Sequence, residues 1–521
     1  LCAARSQRYG AVKTRALHYY PKKGFCQTMM PATFRGHFFV ARRDGWCYTG
    51  CILGEYVEFF INKEGIAAMQ PLQKEKIFSN RQLLTLLWPL IIEQALNVLV
   101  GMADTMMVSS AGEAAISGVS LVDMINMLII TVFGALATGG AVVTSQYLGA
   151  KKPQEAARSA GQLVGLSALL GSGVAVFCLL TRAAMLRLLF GTIADDVMQA
   201  ALLYFTITAL SFPFLALYNA GAAIFRSTGN SAVSMKVSFL VNAINFSGNA
   251  FCVFVLKMGV AGVAVPTLIS RAVGAVVILL LAARPDYILQ LTPYSVTHLQ
   301  RSTAKNILRI GVPSAFENSL FQLGRVLVVS MISLFGTVHI SANAVANNLD
   351  GAGCIIGNAM CLAMITVVGR CVGAQDFEQC IHYTKKLILW DYVAQGLSNA
   401  AILLALNPIL NLYTLSAETR ALSATLVLIH CGMGILLWPI GFVLPNALRA
   451  ANDVRFTMLV SIISMLVWRM GFSWVLCVQL GWGALGVWWA MVVDWVCRSI
   501  CFIARFASGA WKKQAARKLA A

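Results

Sequence analysis

From Gln82 to the C-terminus the chain alternates long apolar runs with short polar connections. By hydropathy the runs lie near residues 83–108, 119–148, 160–181, 199–222, 234–256, 260–283, 308–334, 344–369, 386–406, 421–446, 456–478 and 483–506. Each approaches or exceeds the ~20 residues an α-helix needs to cross a bilayer. Gly and Pro recur inside them, which membrane helices tolerate because neighbouring helices satisfy the freed backbone groups. A cleaved leader would account for one such run at most. The pattern predicts an all-α membrane protein with twelve transmembrane helices.

The polar connections differ in charge. Alternate ones carry Lys151, Lys152 and Arg158; Arg226 and Lys236; Arg284, Arg301, Lys305 and Arg309; Arg370, Lys385 and Lys386; Arg449 and Arg455. The turns between them, such as Ser109–Gly118, Gly336–Ser341 and Gln479–Gly483, have no Lys or Arg. By the positive-inside rule the basic connections face the cytoplasm, together with a tail holding Lys512, Lys513, Arg517 and Lys518. Both termini are then cytoplasmic, and the inner (cytoplasmic) membrane is the expected location.

Composition removes other classes. With 58% hydrophobic and 12% charged residues and a mean hydropathy of +0.73, the chain cannot clothe a water-soluble surface. The net charge of +19 sits in short loops between apolar runs, which is a mark of membrane topology and not of nucleic-acid binding. Fourteen Cys are scattered without a C-x-x-C pair, so no redox role is read from them and no metal is expected. Residues 1–75 depart from the pattern: they are basic, rich in His, Tyr and Cys, and lack a spanning run. Cys47 and Cys51 form a lone C-x3-C that Cys26, His18 and His37 do not complete as a zinc knuckle. This extension is expected to be a disordered tail or no part of the native protein, with Met69 just before the membrane portion.

The membrane portion repeats itself. Pro89-Leu-Ile-Ile-Glu93 aligns with Pro313-Ser-Ala-Phe-Glu317 at a shift of 224 residues (89 to 313). The same register places Gly112 on Gly336, Ser117 on Ser341 and Gly149 on Gly373. Farther on, Arg226-Ser-Thr-Gly229-Asn230 lies on Arg449-Ala-Ala-Asn452-Asp453. Such a long register indicates duplication. Two six-helix bundles follow, at residues 76–290 and 291–510, with a basic tail at 511–521. Each half begins on the same side, so the repeats are parallel, an arrangement that in transporters places the substrate site near the interface of the halves.

The run WPLIIEQALNVLVGMADTMMVS, the loop end QYLGAKK and the paired RSTGN and RAAND turns resemble the multidrug and toxin extrusion (MATE) transporters over residues 80–508. The second-half opening PSAFENSLFQLGR is similar to the bacterial DinF-like branch. The resemblance implies a two-lobed monomer that exchanges H⁺ or Na⁺, its only cofactor-like requirement, for amphipathic and often cationic small molecules.

A carboxylate inside the membrane is costly unless paired, protonated or hydrated, so each is a candidate site. Glu93 and Asp104 are 11 residues apart, which returns to within about 20° of one helical face, with Asn97 and Gly101 beside that stripe. The repeat partner of Asp104 is Val328, so the halves are chemically unequal. By resemblance Asp104 matches the family's first-helix Asp at the coupling-cation site. Asn245 and Asn249 share a face one turn apart, but Asn249 stands where many relatives carry Asp. Thr267 matches a Thr that joins the same cluster. Glu93 and Glu317 recur with the duplication and remain candidates for coupling or substrate contact. The tenth run has no Asp or Glu, so a NorM-type Na⁺ site is not expected in the second lobe. Arg325, about two turns after Glu317, is expected either near the cleft or paired with a carboxylate, and Asp494 and Arg498 are expected to form a structural i, i+4 pair.

No HExxH, GxSxG or Walker pattern appears, which excludes the commonest enzyme chemistries and leaves an ion gradient as the energy source. The expected function is cation-coupled export of amphipathic compounds. The alternative is a lipid-linked oligosaccharide flippase, disfavoured because the cleft candidates here are acidic. The topology yields a test. Lys151, Arg309, Lys386 and Lys512, replaced singly by Cys in a cysteine-reduced variant, are expected to resist a membrane-impermeant maleimide in intact cells and to react after permeabilisation. Labelling of any of the four from outside refutes this orientation.

Overall fold

The computed structural model describes residues 76–109, 112–191 and 194–519, preceded by four short strands. His37–Ala41 pairs antiparallel with Cys47–Cys51, and Ile61–Asn62 with Gly65–Ile66. The rest of the 1–75 extension, including His18 and Cys26, lies outside the described residues, and so does its expected disorder.

The membrane portion is helical throughout. Spans one to six are Asn80–Ser109, Glu113–Gly149, Pro153–Phe190, Asp195–Ser227, Ser231–Val255 and Ala261–Ala282. The seventh is Arg301–Ser333; the eighth is built of Thr337–Gly353 and Ile355–Gly373, broken at Cys354. Spans nine to twelve are Phe377–Leu404, Ala417–Ala450, Val454–Gln479 and Ala484–Ala507, followed by the tail helix Ala510–Leu519. Eleven of these helices are long and apolar enough to cross a membrane on length and composition. The seventh is the twelfth crossing: it has 33 residues, and Arg309, Glu317 and Arg325 lower its hydropathy. The expected architecture of twelve helices in two bundles is therefore present.

Local chemistry sets the helix boundaries. Ser79 Oγ accepts from the Gln82 backbone N–H at 3.2 Å while Gln82 Oε1 accepts from the Ser79 N–H at 2.8 Å, a reciprocal cap that starts the first span. Gly229 has φ +84° and its repeat partner Asn452 has φ +65°. These are the residue types that enter the left-handed region at least cost, and both end a fourth-type helix in the same turn. Pro213 lies inside an unbroken fourth helix, whereas Pro439 opens a wide turn, Pro439–Val443, in the tenth. Between the bundles the short helix Pro293–Thr297 is strapped to the third span. Gln162 Nε2 donates to the carbonyls of Ser295 and His298, and Gln162 Oε1 accepts from the Gln300 N–H.

The two bundles meet where the basic connections lie. At this end Gly149 packs against the Arg370 carbonyl and Gly373 against the Gln146 carbonyl, and a Cβ on either glycine would fall 2.0 Å or 1.9 Å from that oxygen. Gln146 Nε2 donates to the Ala450 carbonyl at 2.7 Å, Arg370 Nη2 to the Ser227 carbonyl at 3.0 Å, and Tyr383 Oη to the Phe78 carbonyl at 2.7 Å. Apolar packing crosses here too: Phe78, just before the first span, and Leu83, Leu86, Leu87 and Leu90 within it belong to the core of the second bundle. Toward the opposite end these ties thin out, among the described residues, to Gln322 Nε2 with Met127 Sδ at 3.8 Å.

A side chain at the glycine crossing must part the helices. Carbon and oxygen settle at about 3.5 Å, so Gly373→Val forces a separation of roughly 1.5 Å. Cys371, fully buried beside this contact, is expected to react with a water-soluble thiol reagent several-fold faster in Gly373→Val than in the wild type. Mass-spectrometric mapping of the modified thiol reads this. Equal rates would mean that the crossing is not what shields it.

Candidate coupling site and second-lobe cavity

The stripe read along the first span is the face it turns to the fifth. Glu93 meets Ser234, Asn97 Oδ1 lies 3.5 Å from Asn242 Nδ2, and Asp104 Oδ1 accepts from Asn249 Nδ2 at 2.7 Å. Successive polar contacts thus run the length of one helix pair.

Four of the expected residues form one cluster. Asp104 is half-buried, Asn245 and Asn249 are buried, and Thr267 reaches in from the sixth span. Asn245 suits two orientations. With its nitrogen toward the acid it donates to Asp104 Oδ1 at 3.1 Å and Oδ2 at 3.3 Å, while its oxygen accepts from Thr267 Oγ1 at 2.9 Å. Turned over, its nitrogen donates to Thr267 Oγ1, its oxygen accepts from Asn249 Nδ2 at 3.2 Å, and Thr267 gives its proton to the Val263 carbonyl. An ionised carboxylate accepts only and selects the first orientation; a protonated one has an O–H to donate toward the Asn245 oxygen and selects the second. In either orientation the cluster is centred on the Asp104 carboxylate.

Behind it lie groups not singled out from the sequence. Tyr204 Oη and Asn126 Nδ2 each donate to Asp123 Oδ1 at 3.1 Å, and Arg271 Nη1 donates to Ser211 Oγ at 2.8 Å. Asp123 and Arg271 are near enough to act electrostatically on Asp104. Asp123 falls inside a predicted span, so the rule that marks every intramembrane acid would have found it.

Glu93 and Glu317 stand apart from this cluster, in equivalent places. Glu93 Oε1 pairs with Arg226 Nη1 at 3.1 Å and Glu93 Oε2 accepts from Ser234 Oγ; Glu317 Oε1 pairs with Arg449 Nη2 at 2.6 Å. Each pair joins the first helix of a bundle to the turn that closes the fourth. The duplication therefore repeats an ion pair and not only a motif.

The second lobe holds a cavity of about 500 Å³. Arg325, Arg449, Arg469 and Arg498 line it, with Glu317 and Asp350. The acidic character expected of the cleft candidates thus describes the first lobe; the second-lobe cavity is rich in arginine. Arg325 lies on its wall and donates to Asn347 Oδ1 at 3.3 Å. Asp494 and Arg498 form the expected i, i+4 pair, at 3.9 Å, and Ser464 Oγ donates to the same Asp494 oxygen. The tenth span has no acid, but its His430 Nε2 meets Asp350 Oδ1 at 2.7 Å, and Cys354 Sγ also donates to Asp350 at 3.1 Å. Asp391 is buried in the ninth span with neither oxygen bonded among the described residues.

Breaking a buried ion pair from one side strands the remaining charge, at a typical cost of 3–5 kcal/mol, whereas removing both partners costs less. Glu317→Gln is expected to lower the melting temperature in detergent more than Glu317→Gln/Arg449→Gln. A double variant less stable than either single would show that the two groups act independently.

Comparison with known proteins agrees with this architecture. The sequence model of the MatE family matches twice, over residues 89–251 and 313–475, so the two matched segments stand in the register of the internal repeat. An uncharacterised transporter of Bacillus subtilis, YisQ, is 27% identical over 447 residues, covering 84% of this chain and 95% of its own. A probable multidrug resistance protein NorM from Thermotoga maritima is 25% identical over 453 residues, covering 85% and 96%. Among solved structures, the outward-facing form of a MATE multidrug resistance transporter of the MOP superfamily superposes with a TM-score of 0.78 at 21% identity, covering 83% of this chain and 96% of that one. A MOP superfamily transporter from Pyrococcus furiosus gives 0.77 at 21% identity with the same coverage. With both halves matched by the family model and the twelve-helix, two-bundle fold, the chain belongs to the MATE family, a family of multidrug transporters.

Proposed function

We propose that this protein is a cation-coupled antiporter that exports amphipathic organic compounds across the cytoplasmic membrane, with Asp104 as the coupling group. The observation that carries this reading is the Asp104–Asn249–Asn245–Thr267 cluster, whose amides converge on one carboxylate and whose counterpart in the second lobe is the apolar Val328. By the loop-charge asymmetry the sealed end is cytoplasmic and both termini lie there, so this conformation opens outward.

A proton is the favoured ion. Asn249 turns an N–H, not an oxygen, toward the carboxylate at 2.7 Å, and a donor occupies ground where Na⁺ would need a further oxygen ligand. Protonation of Asp104 reverses the Asn245 amide and removes a charge between the first, fifth and sixth spans. The ion then binds the two conformations of the lobe with unequal affinity, and only such a difference drives a cycle. The flippase alternative is not favoured by the family match or by the transporters this chain resembles.

The test is export from proteoliposomes under separately imposed H⁺ and Na⁺ gradients. Wild type is expected to respond to the H⁺ gradient, and Asp104→Asn to fall to the gradient-free level while remaining inserted and monodisperse. Full activity of Asp104→Asn would remove Asp104 from coupling, and a response to Na⁺ alone would reassign the ion.

A further inference from the structure

Around the second-lobe cavity more guanidinium N–H groups than carboxylate oxygens are left without a hydrogen-bond partner among the described residues. Of the neighbouring carboxylates, Glu317 holds Arg449 at 2.6 Å, Asp350 holds His430 at 2.7 Å, and Asp494 is bonded to Ser464 and pairs with Arg498 only at 3.9 Å, while Glu317 Oε2 and Asp494 Oδ2 have no hydrogen-bond donor among the described residues. Among the described residues no carboxylate reaches ion-pair distance of Arg325 or Arg469. Arg325 and Arg498 both act electrostatically on Arg469, against Asp494, whose charge acts on it most strongly, and Asp350. Arg498 is only 4% exposed, and its Nε and Nη2 have no hydrogen-bond acceptor; Arg469 Nε and Arg449 Nε have none either. A buried guanidinium without acceptors is unfavourable, so these groups imply a partner that brings oxygen atoms.

The walls indicate the body of that partner. Phe442 and Phe321 lie under the Arg498 guanidinium at 5.1 and 5.9 Å from the ring centroids, which orients its planar fork. Trp438, Trp488 and Trp495 complete an aromatic lining. The volume, about 500 Å³, is that of a site for one drug-sized molecule.

We propose that this cavity binds an amphipathic organic anion, a carboxylate on an aromatic or apolar body, with Arg469 and Arg498 holding the carboxylate and Arg325 supplying further positive potential. Guanidinium groups suit this task because their paired N–H donors match the two oxygens. The substrate class then differs from the cations that the family resemblance implies. This inference rests on the export reading for its physiological meaning, but binding needs no gradient, so the two fail separately.

The experiment uses the full-length protein in lipid nanodiscs and two dyes on the same ring skeleton, anionic fluorescein and cationic rhodamine 6G, followed by fluorescence anisotropy. Fluorescein is expected to bind at least tenfold more tightly than rhodamine 6G and to weaken as salt rises. Arg469→Gln and Arg498→Gln should each cut fluorescein affinity tenfold or more and leave rhodamine 6G unchanged, with Arg498→Lys intermediate. Should either Gln variant misfold, the two-dye comparison on wild type still decides. Equal or tighter binding of rhodamine 6G, or fluorescein binding unaltered in a folded Arg469→Gln variant, overturns the proposal.

Discussion

The closest approach between the two bundles is made of backbone. Gly149 and Gly373 occupy equivalent repeat positions, and each touches a carbonyl of the other bundle. A contact that leaves no room for Cβ transmits displacement directly, because no side chain can change rotamer to absorb it. The surrounding arrangement follows from it. The second and eighth spans must cross at this point, the turns after them must lie side by side, and Gln146 and Arg370 are brought within reach of carbonyls at the ends of the tenth and fourth spans. The remaining helices are free to diverge from there, and that divergence gives each bundle its own interior.

Each interior is tied by the same device and then specialised differently. The Glu–Arg pair fixes the first helix of a bundle to the end of its fourth, so both bundles share a frame. In the first bundle the face beyond the pair runs through Asn97 to Asp104 and meets asparagines. In the second the equivalent face becomes apolar at Val328, and polar groups collect instead around Arg325, Asp350 and Arg498. Duplication supplied the frame, and divergence of a few inward positions supplied two sites of opposite charge.

Much of this was legible in the chain. Twelve apolar runs, the shift of 224 residues (89 to 313) and the stripe from Glu93 to Asp104 all rest on periodicities that a helix and a bilayer enforce. The cluster of Asp104, Asn245, Asn249 and Thr267 was legible because Asn245 and Asn249 share one helical face and the family resemblance joins the first span to the fifth and sixth. The second-lobe cavity was not. Arg469 and Arg498 are on the eleventh and twelfth spans, Arg325 on the seventh and His430 on the tenth, and no spacing along one helix connects them. Helical periodicity did give the Asp494–Arg498 pair, but not Ser464, which comes from a neighbouring helix to the same carboxylate oxygen.

The burial of Phe78, Leu83, Leu86 and Leu90 among side chains of the second bundle bears on how the chain assembles. These residues emerge from the ribosome before any of the helices that will cover them. During synthesis their apolar surface is left to lipid or to an insertion factor, and the second bundle closes around them only when the last spans arrive. The halves are therefore interlocked: a second bundle made alone would lack a wall, although the sequence duplication suggests that it could stand by itself.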